Sequence, residues 1–539
     1  MKISINPCLL MMFTLISACG GGGGSNSNDM QNTLEPIVNI QITSGNVQVY
    51  SNEGDKLPIR IDGICESDNL DNSAVFIRAQ DLDNNTVSPN TIDVTVKKDF
   101  TIELLTDYRI KKGDYLSTIS FIACKDMYCN DVYKNSTFNL DIQLVVNEVP
   151  EWQTHQANKF HNGYVPIWVD TSNFRKLWEW DRGSSSEPIG GINSPVAGNG
   201  EVYVSTDVYF GDAAVIALDE LTGEENWRFS FGTMPALNPP AINNDTLFVA
   251  TSGHGDTKVW GVDRVDGALK FQANFSSQWA NYLAPTFDNG IFLQTGGYYG
   301  GYTYAFSTEN GEEIWSNSSG SSWGMDTPAI DNERVYVHSG NTLTAINKTN
   351  GETLFTISDP LGNSNYEYHG SPVIGSDNNV LAFSGGAFSG RSSSNVEHYE
   401  DRVISNFDKL TGEYQWSTDY AYKTFFSISD GVVYAGKNTP VSLDAISEST
   451  GKVLWSWLPP DTQDTEFHRN IIVTKNLLFV NTNANIYAID LKTKETVWSY
   501  NEPGMIAISD NRILLLAPGY RESDGRLIAF DLRSTDSLN

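Results

Sequence analysis

A nine-residue frame recurs eight times along this chain and limits its fold more than any single motif does. Each frame has a turn-former, a second residue four positions later and an aromatic eight positions later. The frames are Asp170/Phe174/Trp178, Asp219/Gly223/Trp227, Asp263/Gly267/Phe271, Ser307/Gly311/Trp315, Asn347/Gly351/Phe355, Asp408/Gly412/Trp416, Ser447/Gly451/Trp455 and Asp490/Lys494/Trp498. Glycine fills the middle position in six of them, and six of the thirteen Trp residues close a frame, so chance placement is excluded. The spacing suits a hairpin: Asp, Asn or Ser bonds the turn backbone, Gly supplies a positive φ, and the aromatic opens the next strand.

Apolar runs such as Val215-Ile216-Ala217-Leu218 and Ile486-Tyr487-Ala488-Ile489 lead into the frames. Segments such as Pro328-Ala329-Ile330, Val335-Tyr336-Val337 and Pro372-Val373-Ile374 follow them as the next inner strands. Four strands in roughly 40 to 60 residues is the size of a propeller blade. A ninth frame would begin at Asp531 and end at Asn539, the last residue, so the final unit lacks its outer strand. Asp170 to Trp178 supplies such a strand with no inner strands before it. The expected fold class is therefore all-β: an eight-bladed β-propeller over residues 149–539, its N-terminal strand completing the C-terminal blade and removing the open edge.

One interval is irregular. Phe355 to Trp416 spans 61 residues against 39 to 49 elsewhere, and the excess falls in the Gly/Ser-rich stretch from Ser384 to Arg402. An extended surface loop is expected there, contributing to partner contact. Tyr298-Tyr299-Gly300-Gly301-Tyr302 is a second aromatic, glycine-rich candidate.

The front of the chain reads differently. Lys2, the apolar stretch Leu9 to Ile16 and then Ser17-Ala18 make a secretory signal over residues 1–18, too short for a membrane span. Ile16-Ser17-Ala18-Cys19 resembles a bacterial lipobox, which implies that Cys19 is acylated and anchors the mature chain; Gly20 after it implies the outer membrane. Residues 19–35 read as a Gly/Ser-rich tether. Residues 36–148 carry alternating runs at 38–42, 57–61, 100–104 and 138–142, predicting a β-sandwich that resembles immunoglobulin-like modules. Cys65, Cys124 and Cys129 lie in or beside it; export permits one disulfide, either Cys124 with Cys129 or Cys65 with Cys124.

Ala217-Leu218-Asp219-Glu220-Leu221-Thr222-Gly223-Glu224-Glu225-Asn226-Trp227 resembles the tryptophan-docking repeat of the quinoprotein, or pyrroloquinoline-quinone-type, propellers, over about residues 165–535. The resemblance implies that Trp178, Trp227, Phe271, Trp315, Phe355, Trp416, Trp455 and Trp498 are structural, each aromatic docking between neighbouring blades. Combined with a lipid anchor, it is similar to the propeller lipoproteins of the outer-membrane β-barrel assembly machinery. That implies a non-catalytic scaffold, with no cofactor and no metal, that binds a protein partner in the outer membrane.

Two other readings stay beside it. Quinone-dependent dehydrogenases of the family carry an adjacent Cys-Cys pair, calcium-binding carboxylates and a catalytic Asp; this chain has no Cys after Cys129 and no Cys-x-x-Cys-His haem motif. Glycan or peptide binding is the other, at a channel rim that family geometry places at Asn193, Asn238, Tyr282, Asp326, His369, Lys423, His468 and Arg469. The net charge of -31 argues against nucleic acid as a partner, because such affinity comes largely from basic side chains neutralising phosphates.

Overall fold

The computed structural model describes residues 36–534 apart from positions 69, 71–73, 84–85, 173, 184–190, 209, 254–256, 278–283, 295–300, 321–326, 340–341, 362–370, 377, 385–401 and 520–522. The signal, Cys19, the tether and most of both candidate loops lie outside the described residues. What is described is all-β, as the repeat requires.

Residues 37–147 make two sheets. One holds Ile37–Ile42, Pro58–Asp68 and Lys98–Leu105; the other orders Val47–Asn52, Val132–Asn147, Gly113–Cys124, Val75–Asp81 and Asn90–Val94. Buried positions alternate along Pro58–Asp68, the period of a strand with one face on a core. Ile61 and Ile102 from one sheet meet Ile77, Phe121 and Ile142 from the other in one apolar cluster. Of the two disulfides open to the sequence, the structure forms Cys124–Cys129, and Cys65 is a buried free thiol.

Beyond residue 175, eight sheets follow one another, each an antiparallel set of four strands, with a fifth short strand in the second. The first holds Val196–Gly198, Glu201–Ser205, Gly211–Asp219 and Glu225–Met234. The eighth holds Gly504–Ile508, Ile513–Pro518 and Arg526–Asp531, and its fourth strand is Arg175–Asp181 from the start of the series. Thus the pairing expected between the two ends is present.

The frames make the turns and the seams. The N–H of Gly223 donates to the carbonyl of Asp219 at 2.8 Å, Gly223 has φ +73°, and Asp219 Oδ1 accepts from the backbone of Leu221 and Thr222. Each middle residue also covers the aromatic of the preceding frame. A Cβ on Gly223 would lie 2.7 Å from the Trp178 ring, and one on Gly351 would lie 2.7 Å from Trp315. Only glycine combines that approach with that backbone. Where glycine is absent the side chain does the covering: Lys494 (φ 65°) lays its ammonium 4.3 Å from the centre of the Trp455 ring, and Phe174 stacks on Trp498. The indoles are also hydrogen-bonded across the seams, Trp178 to the carbonyl of Glu220, Trp227 to Arg264, Trp315 to Lys348 and Trp416 to Glu448, at 2.8–3.0 Å. An indole satisfies its one donor there while burying its rings.

The N-terminal sheets are tied to this series through one carboxylate. Asp55, fully buried, pairs with Arg512 Nη2 at 2.5 Å and Lys475 Nζ at 2.8 Å, and accepts from the Trp168 backbone N–H at 2.7 Å. Arg512 also donates to the carbonyls of Glu53 and Trp168.

Candidate functional site

Residues 152–169 have neither the alternation of a strand nor a frame, yet they bond to residues of, or beside, every sheet in turn. Trp152 exchanges hydrogen bonds with Ala197 of the first sheet, and the Gln153 carbonyl accepts from Ile242 of the second. Thr154 Oγ1 donates to the Pro285 carbonyl, just before the third sheet's first strand. The carbonyls of Lys159, Phe160 and Asn162 accept from Ile330, Ile374 and Ile428 in the fourth, fifth and sixth. Gly163 and Val165 bond to Val473 of the seventh, and the Trp168 carbonyl accepts from Arg512 of the eighth. A stretch this short reaches at most about 60 Å when extended. It can meet eight sheets in order only where their edges converge.

The turn of this segment carries buried polar side chains into that convergence. Gln156, Ala157, His161 and Gly163 have positive φ, between 52° and 77°, which folds the chain back on itself. Gln156 Nε2 donates to the Phe426 carbonyl at 3.2 Å. The His161 ring spans the third and fifth sheets, with Nδ1 3.2 Å from the Pro372 carbonyl and Nε2 3.3 Å from Thr286 Oγ1. A carbonyl only accepts, so Nδ1 carries the proton and Nε2 accepts from the hydroxyl. His155 packs edge-on against His161 and Phe425. Burial pushes the His161 pKa down to about 3, and burial, with the neighbouring His161, holds His155 well below the usual imidazole range. Both are therefore neutral packing groups near pH 7.

The expected rim residues fall on three kinds of ground. Tyr282, Asp326 and His369 lie outside the described residues. Asn193, Asn238, His468 and Arg469 are buried, and Lys423 is half-buried. Asn193 Nδ2 donates to Ser205 Oγ at 3.0 Å and to the Leu237 carbonyl at 2.9 Å, joining the first two sheets. The Arg469 carbonyl accepts from Phe425 N–H, joining the sixth and seventh. Asn238 Nδ2 donates to the Ala250 carbonyl within the second sheet. The sequence signal for the segment that fills the centre is negative: residues 152–169 are apolar and polar without period, between two regular regions.

His155, Gln156 and His161 are thus buried between the third, fifth and sixth sheets. Among the described residues no three His, Cys, Asp or Glu side chains gather as a metal site.

Comparison with known proteins gives the following. The family model for the outer membrane protein assembly factor BamB matches residues 162–283, 276–500 and 400–535. A tetrathionate hydrolase from Acidithiobacillus ferrooxidans is 22% identical over 354 residues, 59% of this chain and 68% of the hydrolase. Among solved structures, a europium-containing methanol dehydrogenase has a TM-score of 0.55 at 11% identity, over 71% of this chain and 98% of its own. A quinohemoprotein alcohol dehydrogenase from Pseudomonas putida HK5 has a TM-score of 0.52 at 13% identity, over 72% and 81%. BamB from Moraxella catarrhalis has a TM-score of 0.47 at 15% identity, over 66% and 97%.

These likenesses correct one expectation. The sequence reading made the chain a non-enzyme, from its likeness to the assembly lipoproteins and from the missing cysteines of one cofactor device; a hydrolase among its relatives and dehydrogenases sharing its fold overturn that exclusion. The physical reason is that a fold hosts chemistry through whatever site is grafted on it, so the lack of one device excludes only that device.

Proposed function

Because the chain belongs to the family of the outer membrane protein assembly factor BamB, we propose that it binds a protein partner at the outer membrane and acts there as an assembly scaffold. The family match, reaching from residue 162 to residue 535, is the observation that carries this reading. We read the eight sheets as the blades of one closed propeller (149–539), the two N-terminal sheets as an immunoglobulin-like sandwich (36–148), and residues 1–35 as a signal, an acylated Cys19 and a tether. The eight frame aromatics are the structural docking groups of that ring.

The filled centre supports the scaffold reading. With residues 152–169 occupying the convergence of the sheet edges, recognition of a macromolecule falls to the loops between strands, and the long stretch from Ser384 to Arg402 is the first of these. Cross-linked pulldown from envelope membranes tests it: a component of outer-membrane protein assembly is the expected partner. Recovery of glycans or unrelated surface proteins alone would replace the reading with ligand binding, at the rim residues named above. Deletion of residues 386–400 should weaken capture; full-strength binding of every partner would remove the loop from the interface.

The tetrathionate hydrolase supports a second reading, turnover of a small sulfur compound by the propeller. Incubating the purified chain with tetrathionate and measuring its disappearance against a heat-inactivated control tests it directly.

A further inference from the structure

A cavity of about 360 Å3 opens where the segment 152–169 crosses the fourth, fifth and sixth sheets. Its size is at the lower end of small-molecule sites, which run about 300–1,000 Å3. The segment contributes Phe160, Asn162 and Tyr164; the sheets contribute the ends of their first strands and Lys409.

Lys409 is the informative residue. It stands one place after the turn-former Asp408, and side chains at the same place in four other frames reach back to the preceding sheet. Glu220 accepts from Asn511 at 2.7 Å, Arg264 donates to the Gly198 carbonyl at 2.7 Å, Lys348 pairs with Asp288 at 2.7 Å, and Glu448 accepts from Asn379 at 3.1 Å. Lys409 uses only its backbone in this way, its carbonyl accepting from Tyr336 Oη at 2.9 Å. Among the described residues its ammonium has no ion pair or hydrogen bond, and it lines the cavity instead. Of the two carboxylates in the wall, Asp331 already accepts from the backbone of Glu333 and Arg334 at 2.8 and 2.7 Å, and Asp430 is exposed.

We propose that this cavity binds a saccharide unit bearing a carboxylate, held by the Lys409 ammonium and by the aromatic and polar wall opposite it. The ammonium supplies a charge-assisted contact to the carboxylate. Phe160 and Tyr164 offer apolar ring surface to the C–H faces of a sugar. Hydroxyls both donate and accept, so they need a wall of mixed type, and Asn162, Ser429 and the exposed carboxylate of Asp430 provide one. A simple anion would use the lysine and leave that wall idle; a neutral sugar would use the wall and leave the lysine unpaired.

Titration calorimetry of the full mature chain with glucuronate, glucose, acetate and inorganic phosphate tests the assignment. Glucuronate should bind about tenfold or more tighter than each of the other three, the size of one charge-assisted contact plus the sugar wall. Lys409→Met should remove that advantage, Lys409→Arg should restore most of it, and Tyr164→Leu, which removes the ring, should weaken binding several-fold, each with an unchanged melting temperature. Absence of glucuronate binding at millimolar concentration would overturn the proposal. So would acetate or phosphate binding as tightly as glucuronate, or undiminished binding by Lys409→Met. Should Lys409→Met melt early, Lys409→Gln compared with Lys409→Arg decides the same question.

Discussion

Phe174 stacks on Trp498 with ring centroids 5.0 Å apart and planes 17° apart, so the first frame covers the aromatic of the last as every other frame covers the one before it. The strand pair beside it repeats the pattern: Trp178 lies opposite Ala529, as Trp227 lies opposite Ala217 and Trp498 opposite Ala488. An alanine across from five of the six frame indoles, Trp416 facing Asn406 instead, leaves room for the ring to lie over the seam. Phe174→Ala should therefore destabilise the whole series, not one hairpin. Phe174 is half-buried, so the loss should be about 1–3 kcal/mol, below the 3–5 kcal/mol of a fully buried Phe→Ala. A urea midpoint that falls with an unchanged slope would show it; an unchanged midpoint would mean that the ends are held by strand pairing alone.

Two glycines with nearly the same backbone separate conformational strain from crowding. Gly351 has φ +74° and its Cβ would meet Trp315 at 2.7 Å; Gly431 has φ +73° and nothing within 4 Å. Gly431→Ala should cost about 1 kcal/mol for the left-handed backbone. Gly351→Ala should cost about 1–3 kcal/mol more, because the ring it strikes is locked in the seam. Equal losses in denaturant titration would show that the indole yields freely.

The contrast between these seams and the centre explains what the sequence disclosed. The frames are periodic because each solves one local problem, a hairpin whose middle residue touches the preceding aromatic, so spacing alone displays them. Even Phe174 and Lys494, which break the glycine rule, sit at the right place and do the covering with their own side chains. The segment 152–169 solves a problem set by eight sheets at once, and its bonds run to residues as far along as Arg512, so nothing in its local pattern announces it. For the same reason nothing local in the sequence shows that the Asn193 amide bonds the Leu237 carbonyl of the next sheet. The absence of propeller cysteines was legible too, but it bears on one cofactor device and not on catalysis as such.

Asp55 is expected to be the latch between the N-terminal sheets and the rest. Asp55→Asn keeps the shape and removes the charge, leaving Arg512 and Lys475 without their buried carboxylate. Breaking a buried pair on one side costs about 3–5 kcal/mol. Proteolysis in the connection from Glu148 to Trp152 should speed up as the N-terminal unit loosens. Unchanged cleavage and an unchanged melting temperature would place the coupling elsewhere.

Acid should loosen the centre before it unfolds the sheets. His161 is held neutral by burial, with a pKa pushed down to about 3 from an ordinary value near 6.5. Between those values the unfolded chain takes up a proton that the folded chain refuses, so stability falls as pH drops through this window and is fully present above it. Protonation would also put a charge between Thr286 and Pro372 with no carboxylate among the described residues bonded to the ring. The expected result is a melting temperature that declines steadily below about pH 6.5, with a shallower decline for His161→Gln. His161→Gln loses the ring packing against His155, so it should be less stable than the parent at pH 8, and the two curves should approach one another toward pH 4. Parallel curves across that range would mean that His161 does not carry the acid sensitivity.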